Sequence, residues 1–377
     1  MSSEKILISI IIATFNSEKT LSMVLESIKS QTFPKKNLEL LILDGGSKDK
    51  TLSITKNYKC RVINNPKTEP VYAKFLGYLK AKGRYIVYLD HDEVIENPQS
   101  LELKYSIFLK EKNVKAVIGS GYKNPVGYPI INNYTNEFGD PFSAFIYNLS
   151  KESKYFLKHM SQKYKLVKQT KEYSVFDLNG IKQMPIIELC AAGSMFDANY
   201  MKKNFPQTLK NPSLIPHFFY LMNSKLSLIA ITKNDALIHY SSDTLDKYLN
   251  KIRWRIKNNI YHASDMGKSG FTGREKYSNK IYQYKKFLFL PYVYTILFCF
   301  LDSIKLSITR KNIYYLIHLP LSLFTANQIV YHSISKLLGH RPQLKSYEDK
   351  KVLLYKENDK RENSYKSVER VFILENY

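Results

Sequence analysis

Tyr85-Ile86-Val87-Tyr88-Leu89-Asp90-His91-Asp92 is a run of five apolar residues followed at once by two carboxylates one residue apart. A run so short and so rich in β-branched and aromatic side chains reads as a strand buried on both faces of a sheet. Alternate residues of an extended chain face the same side, so Asp90 and Asp92 converge just past the carboxyl end of that strand. Hard oxygen ligands in this arrangement suit Mg²⁺ or Mn²⁺, which take one or two carboxylates from a protein and leave the other positions to water and phosphates. A plain solvated turn would read the same way, so the surrounding sequence has to decide.

Upstream, strands and helices alternate. Residues 6–13 are a continuous apolar run broken by Ser9 alone, and residues 20–30 a helix with Ser17 as its N-cap. Residues 38–43 read as a strand, 49–57 as a helix and 61–63 as a short strand. Residues 70–82 form a helix with Pro70 at its start and Gly83 just past its end. Downstream, Asn97-Pro98 opens a helix to residue 112, and residues 114–118 return as a strand. The expected fold is α/β, a doubly wound, mostly parallel sheet whose ligands bind at the carboxyl ends of the strands. Three polar loops then share one edge: Thr14-Phe15-Asn16-Ser17-Glu18, Asp44-Gly45-Gly46-Ser47-Lys48-Asp49 and Asp90-His91-Asp92. In that crevice Asp44 is placed to accept from a base N–H, although the same residues also suit a turn that caps the next helix.

The chain has 377 residues, enough for two domains or for one large α/β domain with appendages. Its 57 Lys+Arg against 33 Asp+Glu leave a net charge of +24, which implies polyanionic surroundings: nucleic acid, anionic lipid or phosphorylated substrates. Cys60, Cys190 and Cys299 are scattered and odd in number, so neither a disulfide framework nor a zinc site is indicated, and a reducing cytosolic setting is expected. Residues 1–5 lead directly into the first strand with no cleavable signal pattern, so export is not expected.

Beyond residue 121 the pattern loosens. Residues 122–182 are Tyr-, Asn- and Lys-rich and read as an acceptor-side insertion or a flexible excursion. Order resumes at residues 184–195, a helix follows over 212–223, and strands over 226–231 and 236–240. Residues 287–301 carry no charge, and residues 312–335 hold no Asp, Glu, Lys or Arg. The first stretch is too short to span a bilayer and the second is broken by Pro320. With Lys285, Lys286, Lys305, Arg310 and Lys311 beside them, they read as a helical pair lying in the membrane interface against anionic lipid. A true span over 312–335 and an ordinary buried hairpin are the alternatives. Four regions result: a donor-binding half (1–120), an acceptor-side half of the same domain (121–245), a basic and hydrophobic helical region (246–340) and a charged tail (341–377).

The motifs together resemble a known family. Ser9-Ile10-Ile11-Ile12-Ala13-Thr14-Phe15-Asn16, Gln31-Thr32, Leu43-Asp44-Gly45-Gly46-Ser47-Lys48-Asp49-Lys50-Thr51, and Ala81-Lys82-Gly83-Arg84-Tyr85 leading into Leu89-Asp90-His91-Asp92 are similar, in order and spacing, to the family 2 inverting glycosyltransferases of GT-A type. The resemblance implies a nucleotide-sugar donor and a divalent metal, Mn²⁺ or Mg²⁺. It further implies that Thr14, Asn16 and Glu18 line the nucleotide pocket and that Asp44 bonds the base. Lys74 would lie near the diphosphate, although Phe75 stands where relatives usually have Asn. Asp90 would lie by the ribose and the metal, with Asp92 as direct metal ligand. His239 would be a further ligand or a structural residue. The implied reaction is a single displacement at the anomeric carbon, with a carboxylate as general base.

At the base the chain departs from the family pattern. An acidic Glu-Asp pair is usual before the last strands, and this chain reads Ser213-Leu214-Ile215-Pro216-His217-Phe218-Phe219. His217, as an imidazole that titrates near neutrality, and Glu188 are the competing candidates, with Asp197 and Asp140 behind them. Lys247, Lys251 and Arg255 recur at helical spacing and form a basic face for the donor diphosphate or an acceptor's lipid phosphate. The expected partners are a nucleotide-sugar, a glycan or polyprenyl-phosphate-linked acceptor and an anionic membrane surface, at the cytoplasmic face and without nucleic acid. A sugar nucleotidyltransferase, or a non-catalytic nucleotide-binding or scaffolding relative, is the alternative function.

Overall fold

The structure, a computed structural model, describes residues 6–225, 227–262 and 271–343, without the side chains of residues 271 and 272. Nearly all of the tail expected over 341–377 lies outside the described residues, as does the first residue of the strand expected over 226–231.

The strands are β1 (Ile8–Thr14), β2 (Leu38–Asp44), β3 (Arg61–Asn64), β4 (Tyr85–Asp90), β5 (Glu93–Ile95), β6 (Val114–Ile118), β7 (Tyr122–Lys123), β8 (Lys165–Gln169), β9 (Tyr173–Asp177), β10 (Met195–Asp197), β11 (Leu228–Thr232) and β12 (Leu237–His239). A nine-stranded sheet runs in the order β3-β2-β1-β4-β10-β6-β11-β9-β8, and β5-β12-β7 make a second, small one. In the large sheet β9 and β10 run against the other strands, so the sheet is mixed but mostly of one direction. Register aligns the carboxyl ends: Thr14 pairs with Asp44, and Ala13 with Asp90.

The unbroken apolar strands follow from burial on both faces. Ile11, Ile86 and Tyr88 face a layer containing helices Pro70–Lys80, Pro141–Tyr147 and Phe156–Lys163. Ile10, Ile12, Val87 and Leu89 face helices Leu21–Lys29 and Ser100–Lys110. Gly83 does not cap the preceding helix. It lets the chain pass against β1, where a Cβ would come within 2.6 Å of the Ser9 backbone nitrogen. Ser17 is likewise not the N-cap: the helix starts at Leu21 after Thr20, and the Ser17 hydroxyl serves the Phe15 backbone.

The segment read as irregular, 122–182, is ordered into helices Ile130–Phe138, Pro141–Tyr147 and Phe156–Lys163 and the hairpin β8–β9. Residues 184–195 yield regular structure at their end alone, where β10 begins. The helix expected over 212–223 is a 3₁₀ turn (Pro212–His217), with Pro216 inside it, running into helix Phe218–Asn223.

Helix Leu245–Tyr261 packs through Tyr248 and Ile252 against Tyr134, Tyr315 and Leu321, and so joins the C-terminal helices to the α/β domain. Residues 287–301 are not one helix: Lys280–Tyr294 and Leu297–Arg310 meet at 89°. Ile313–Leu337 is a helical run of 25 residues, long and apolar enough by length and composition to cross a bilayer, and 33% of its apolar window is buried in the protein. Three of the five basic residues expected to face lipid point into the protein instead. Arg310 pairs with buried Glu137, Lys286 with Glu275, and Lys285 donates to the Ile146 carbonyl.

Candidate active site

Three parallel strands end together, and their loops are stitched to one another. Thr14 donates to Asp44 at 3.2 Å, and the Asp44 carboxylate also accepts from the Gly46 and Ser47 amides (2.9 Å each) and the Ser47 hydroxyl (2.5 Å). Asp44 is therefore the anchor of its own turn, and a base N–H there would have to share or displace these bonds. Asn16 and Glu18 are exposed and accept from the Lys48 and Lys50 amides at 2.9 and 3.1 Å, which ties the first loop to the second.

At the end of β4, Lys74 is buried on helix Pro70–Lys80 and reaches Asp90 at 2.5 Å. Burial opposes the charge on Lys74, but the Asp90 carboxylate outweighs it and raises the lysine's pKa. Asp92 faces His239, with Oδ2 to Nε2 at 3.6 Å, an ion-pair separation longer than a hydrogen bond. Burial alone would raise the Asp92 carboxyl, but the neighbouring histidine holds it well below the usual range. The small sheet makes this pairing possible: His239 lies opposite Glu93 in the β12–β5 register, and the Tyr240 amide bonds the Asp92 carbonyl. The His239 Nδ1 is buried and has no partner.

Among the described residues no three His, Cys, Asp or Glu side chains converge as a metal cage. What is present is a pair of carboxylates at the open edge of a sheet, beside a lysine. That donor set fits Mg²⁺ or Mn²⁺ held jointly with substrate phosphates, and does not fit a cage made by the protein alone.

Glu93 was not singled out from the sequence, although a glutamate inside an otherwise apolar strand is a signal. It is fully buried and accepts from the Asp90 amide (3.0 Å), the Tyr122 hydroxyl (2.8 Å) and the Ala192 amide (3.0 and 3.1 Å). It thereby fixes the Asp90-His91-Asp92 turn against the loop that carries Glu188 and Cys190. The Tyr122 ring in turn stacks on His239, with centroids 4.8 Å apart.

The base candidates are set apart. His217 is buried, with Nδ1 3.3 Å from the Tyr277 hydroxyl and its ring edge-on to Tyr220. Asp197 ion-pairs with Arg84 and caps helix Ala198–Asn204. It pairs with Tyr85, at the start of β4, so it stands at the opposite edge of the sheet from Asp90. Glu188 is half-exposed and contacts Arg274, and it shares the electrostatic surroundings of Cys190 with Lys74 and Asp90. Burial would raise the Glu188 carboxyl, but Arg274, Lys151 and Arg255 bring it down to about 2. Asp140 caps helix Pro141–Tyr147 and lies 3.6 Å from Arg255.

Arg255 and Lys251 of helix Leu245–Tyr261 turn toward the site, while Lys247 pairs with Asp243 at 3.8 Å. The Lys251 ammonium donates to Ser241 at 2.8 Å, and burial together with Arg255 lowers it to about 8. Lys151 and Arg274 carried no sequence signal, since each comes from a stretch without periodicity.

A sheet of this order, with polar loops gathered beyond its parallel strands, defines a GT-A-like α/β fold. Residues 9–170 match the model of Glycosyl transferase family 2. A dolichyl N-acetyl-alpha-D-glucosaminyl phosphate 3-beta-D-2,3-diacetamido-2,3-dideoxy-beta-D-glucuronosyltransferase of Methanococcus voltae is 27% identical over 231 residues, 56% of this chain and 66% of the relative. An uncharacterized glycosyltransferase of Haemophilus influenzae is 34% identical over 110 residues, 28% of this chain and 43% of that protein. The chain thus spans less than two thirds of the length of each. Among solved structures, a mannosyltransferase from Pyrobaculum calidifontis in complex with GDP-Man and Mn²⁺ aligns over 88% of this chain and 87% of that one, at 11% identity and a TM-score of 0.45.

Proposed function

We propose that the protein is a metal-dependent inverting glycosyltransferase that moves a sugar from a nucleoside-diphosphate sugar to a glycan or lipid-linked acceptor in cell-surface polysaccharide or glycolipid assembly. The observation that carries the reading is the convergence of Asp90, Asp92 and Lys74 at the carboxyl edge of a family 2 sheet. Asp90 and Asp92 would hold the metal, which supplies positive charge to the departing diphosphate. Lys74 and Lys251 add fixed positive charge on the same side. Thr14, Asn16, Glu18 and Asp44 frame the nucleotide.

His239 is better suited to position Asp92 than to ligate the metal. Ligation through Nε2 would put the ring proton on Nδ1, which is buried without an acceptor. For the base, Glu188 is favoured over His217, because its carboxylate is part-exposed whereas His217 is buried against Tyr277. In the transfer, the acceptor oxygen bonds the anomeric carbon, the bond to the diphosphate breaks, and the hydroxyl proton passes to Glu188.

A donor panel tests the function. With Mn²⁺ and a series of nucleotide-sugars, slow release of nucleoside diphosphate from one donor is expected, accelerated by a membrane lipid extract as acceptor source. Turnover of no donor, with or without extract, rejects the reading and leaves a non-catalytic relative.

The Glu188–Arg274 pair also makes a stability prediction. Since the folded carboxyl is depressed from 4.5 to about 2, its contribution is fully present above pH 4.5 and is lost as pH falls through about 2. Glu188 is 38% exposed, so solvent screening cuts this to about 1 kcal/mol. Glu188→Gln is expected to lower the unfolding free energy by that amount at pH 7, and the gap should close toward pH 2 in denaturant titrations.

We place the protein at the cytoplasmic membrane face. Phe287, Leu288, Leu297, Phe298, Leu301 and Ile313 are exposed on the bent C-terminal helices, with Lys305 and Lys311 exposed beside them. The full chain is expected to sediment with vesicles containing anionic lipid. Phe298→Asp with Leu301→Asp should lower the vesicle partition constant about 10³-fold, since each removes roughly 2 kcal/mol of apolar burial. Equal sedimentation of both proteins would count against membrane docking by this surface.

A further inference from the structure

Around Glu188 the charges do not balance. Two carboxylates, Glu188 and Asp140, face three cations: Arg274 contacts the first, and Arg255 lies 3.6 Å from the second. The third, Lys151, has an ammonium with no hydrogen-bond or ion-pair partner among the described residues, and burial lowers its pKa against the pull of Glu188 and Asp140. Lys151 is firmly held nonetheless. Its amide bonds the Glu137 carbonyl at 2.9 Å, its carbonyl accepts from the Tyr122 amide at 2.8 Å, and its Nζ lies 5.8 Å from the Tyr122 ring centroid. Lys151 Nζ and Arg255 Nη1 each come to 4.0 Å from the point where a Cβ would stand on Gly139, whose φ of +80° favours glycine. A partly buried ammonium beside an aromatic ring and without a carboxylate partner is available to a ligand anion.

We propose that Lys151, Arg255 and Arg274 form a second anion subsite that takes the phosphate of the acceptor, separate from the donor diphosphate position at Asp90 and Asp92. Tyr122 divides the two. Its ring stacks on His239 and its hydroxyl holds Glu93 on the donor side, while Lys151 lies by the same ring on the other. Lys74 and Lys251 remain to the donor. Once Glu188 has taken the acceptor proton and lost its charge, the three cations outweigh Asp140 by two, which a phosphate matches better than a carboxylate. Guanidinium forks also suit phosphate geometry. An acceptor phosphate that draws Arg274 and Lys151 toward itself frees Glu188 to act as a base, so transfer is coupled to acceptor binding.

The subsite deepens the glycosyltransferase reading and rests on it for the identity of the ligand, but its test is separable. The full-length protein, saturated with nucleoside diphosphate and Mg²⁺, is titrated calorimetrically with inorganic phosphate and with geranyl phosphate. Both are expected to bind without displacing nucleotide. Lys151→Met and Arg255→Gln should each weaken phosphate binding at least about tenfold, the loss of one charged hydrogen bond, and change nucleotide affinity less than about twofold. Tighter binding of geranyl phosphate identifies a lipid-linked source, and equal binding a soluble phosphorylated acceptor. Either supports the subsite. Displacement of phosphate by nucleotide, or unchanged phosphate affinity in both variants, overturns it. If no nucleotide binds at all, the functional reading fails, and the same titrations on the free protein still decide the subsite.

Discussion

Asp92→Ala is expected to reduce metal-dependent release of nucleoside diphosphate by about 10³-fold, with the fold and melting behaviour kept. Burial would raise the Asp92 carboxyl, but His239, facing it at 3.6 Å, holds it in its charged form. The side chain lies at the open end of the crevice and anchors no described backbone group, so its loss removes charge without leaving a buried donor unpaired. Asp92→Asn keeps the shape and should be almost as inactive. His239→Gln should keep a larger share of activity than Asp92→Ala if the histidine positions Asp92, and as little if it ligates the metal. Steady-state assays of the three variants at varied Mn²⁺ concentration check this order.

The second large effect concerns the seam between the catalytic domain and the C-terminal helices. Glu137 is fully buried and accepts from Arg310 at 2.9 and 2.6 Å and from the Tyr315 hydroxyl at 2.5 Å. The Arg310 guanidinium also sits over the Tyr155 ring at 4.0 Å. Glu137→Ala strands a buried cation and should lower the unfolding free energy by about 3–5 kcal/mol. The triple variant Glu137→Met, Arg310→Met, Tyr315→Phe should recover most of that loss, because the cost is the unpaired charge and not a missing contact. Denaturant unfolding of both variants checks it. A loss below about 1 kcal/mol in Glu137→Ala would mean that the seam is held by Tyr134, Tyr248 and Leu321 packing alone.

How far the sequence led depends on where each element buries its side chains. Residues 6–118 were readable because their strands are apolar on both faces and their helices alternate in step, which gave β1 to β4 and the edge at which their loops gather. Helix Ile130–Phe138 was not, because polar residues are buried beside its apolar Ile131, Tyr134 and Phe138 and blur the contrast between its faces. Asn132 and Asn136 are buried and bond the His239 carbonyl at 2.8 and 3.1 Å, and Glu137 holds Arg310, so polar residues occupy positions that a simple apolar pattern leaves to solvent. Arg310 misled for the same reason: a basic residue beside an apolar run reads as a lipid contact until its buried carboxylate, 173 residues away, is known. The proposed donor half of the site lies on neighbouring strand ends and is local in sequence. The proposed acceptor half draws on Lys151, Glu188, Arg255 and Arg274, whose meeting depends on tertiary structure; there the sequence offered Arg255 on a basic face, a missing Glu-Asp pair and a choice of bases, but not Lys151 or Arg274.

In the proposed site, Asp90 and Asp92 join a divalent metal to a nucleoside diphosphate. Calorimetric titration of the full chain with nucleoside diphosphates, with Mn²⁺ and with chelator, measures that linkage directly. Binding strengthened at least about tenfold by Mn²⁺ in the wild type, and insensitive to Mn²⁺ in Asp90→Asn with Asp92→Asn, is the predicted result, the metal-carboxylate contact being the sole difference. Equal nucleotide affinity with Mn²⁺ and with chelator in the wild type, or a Mn²⁺ effect that survives in the double variant, would contradict it.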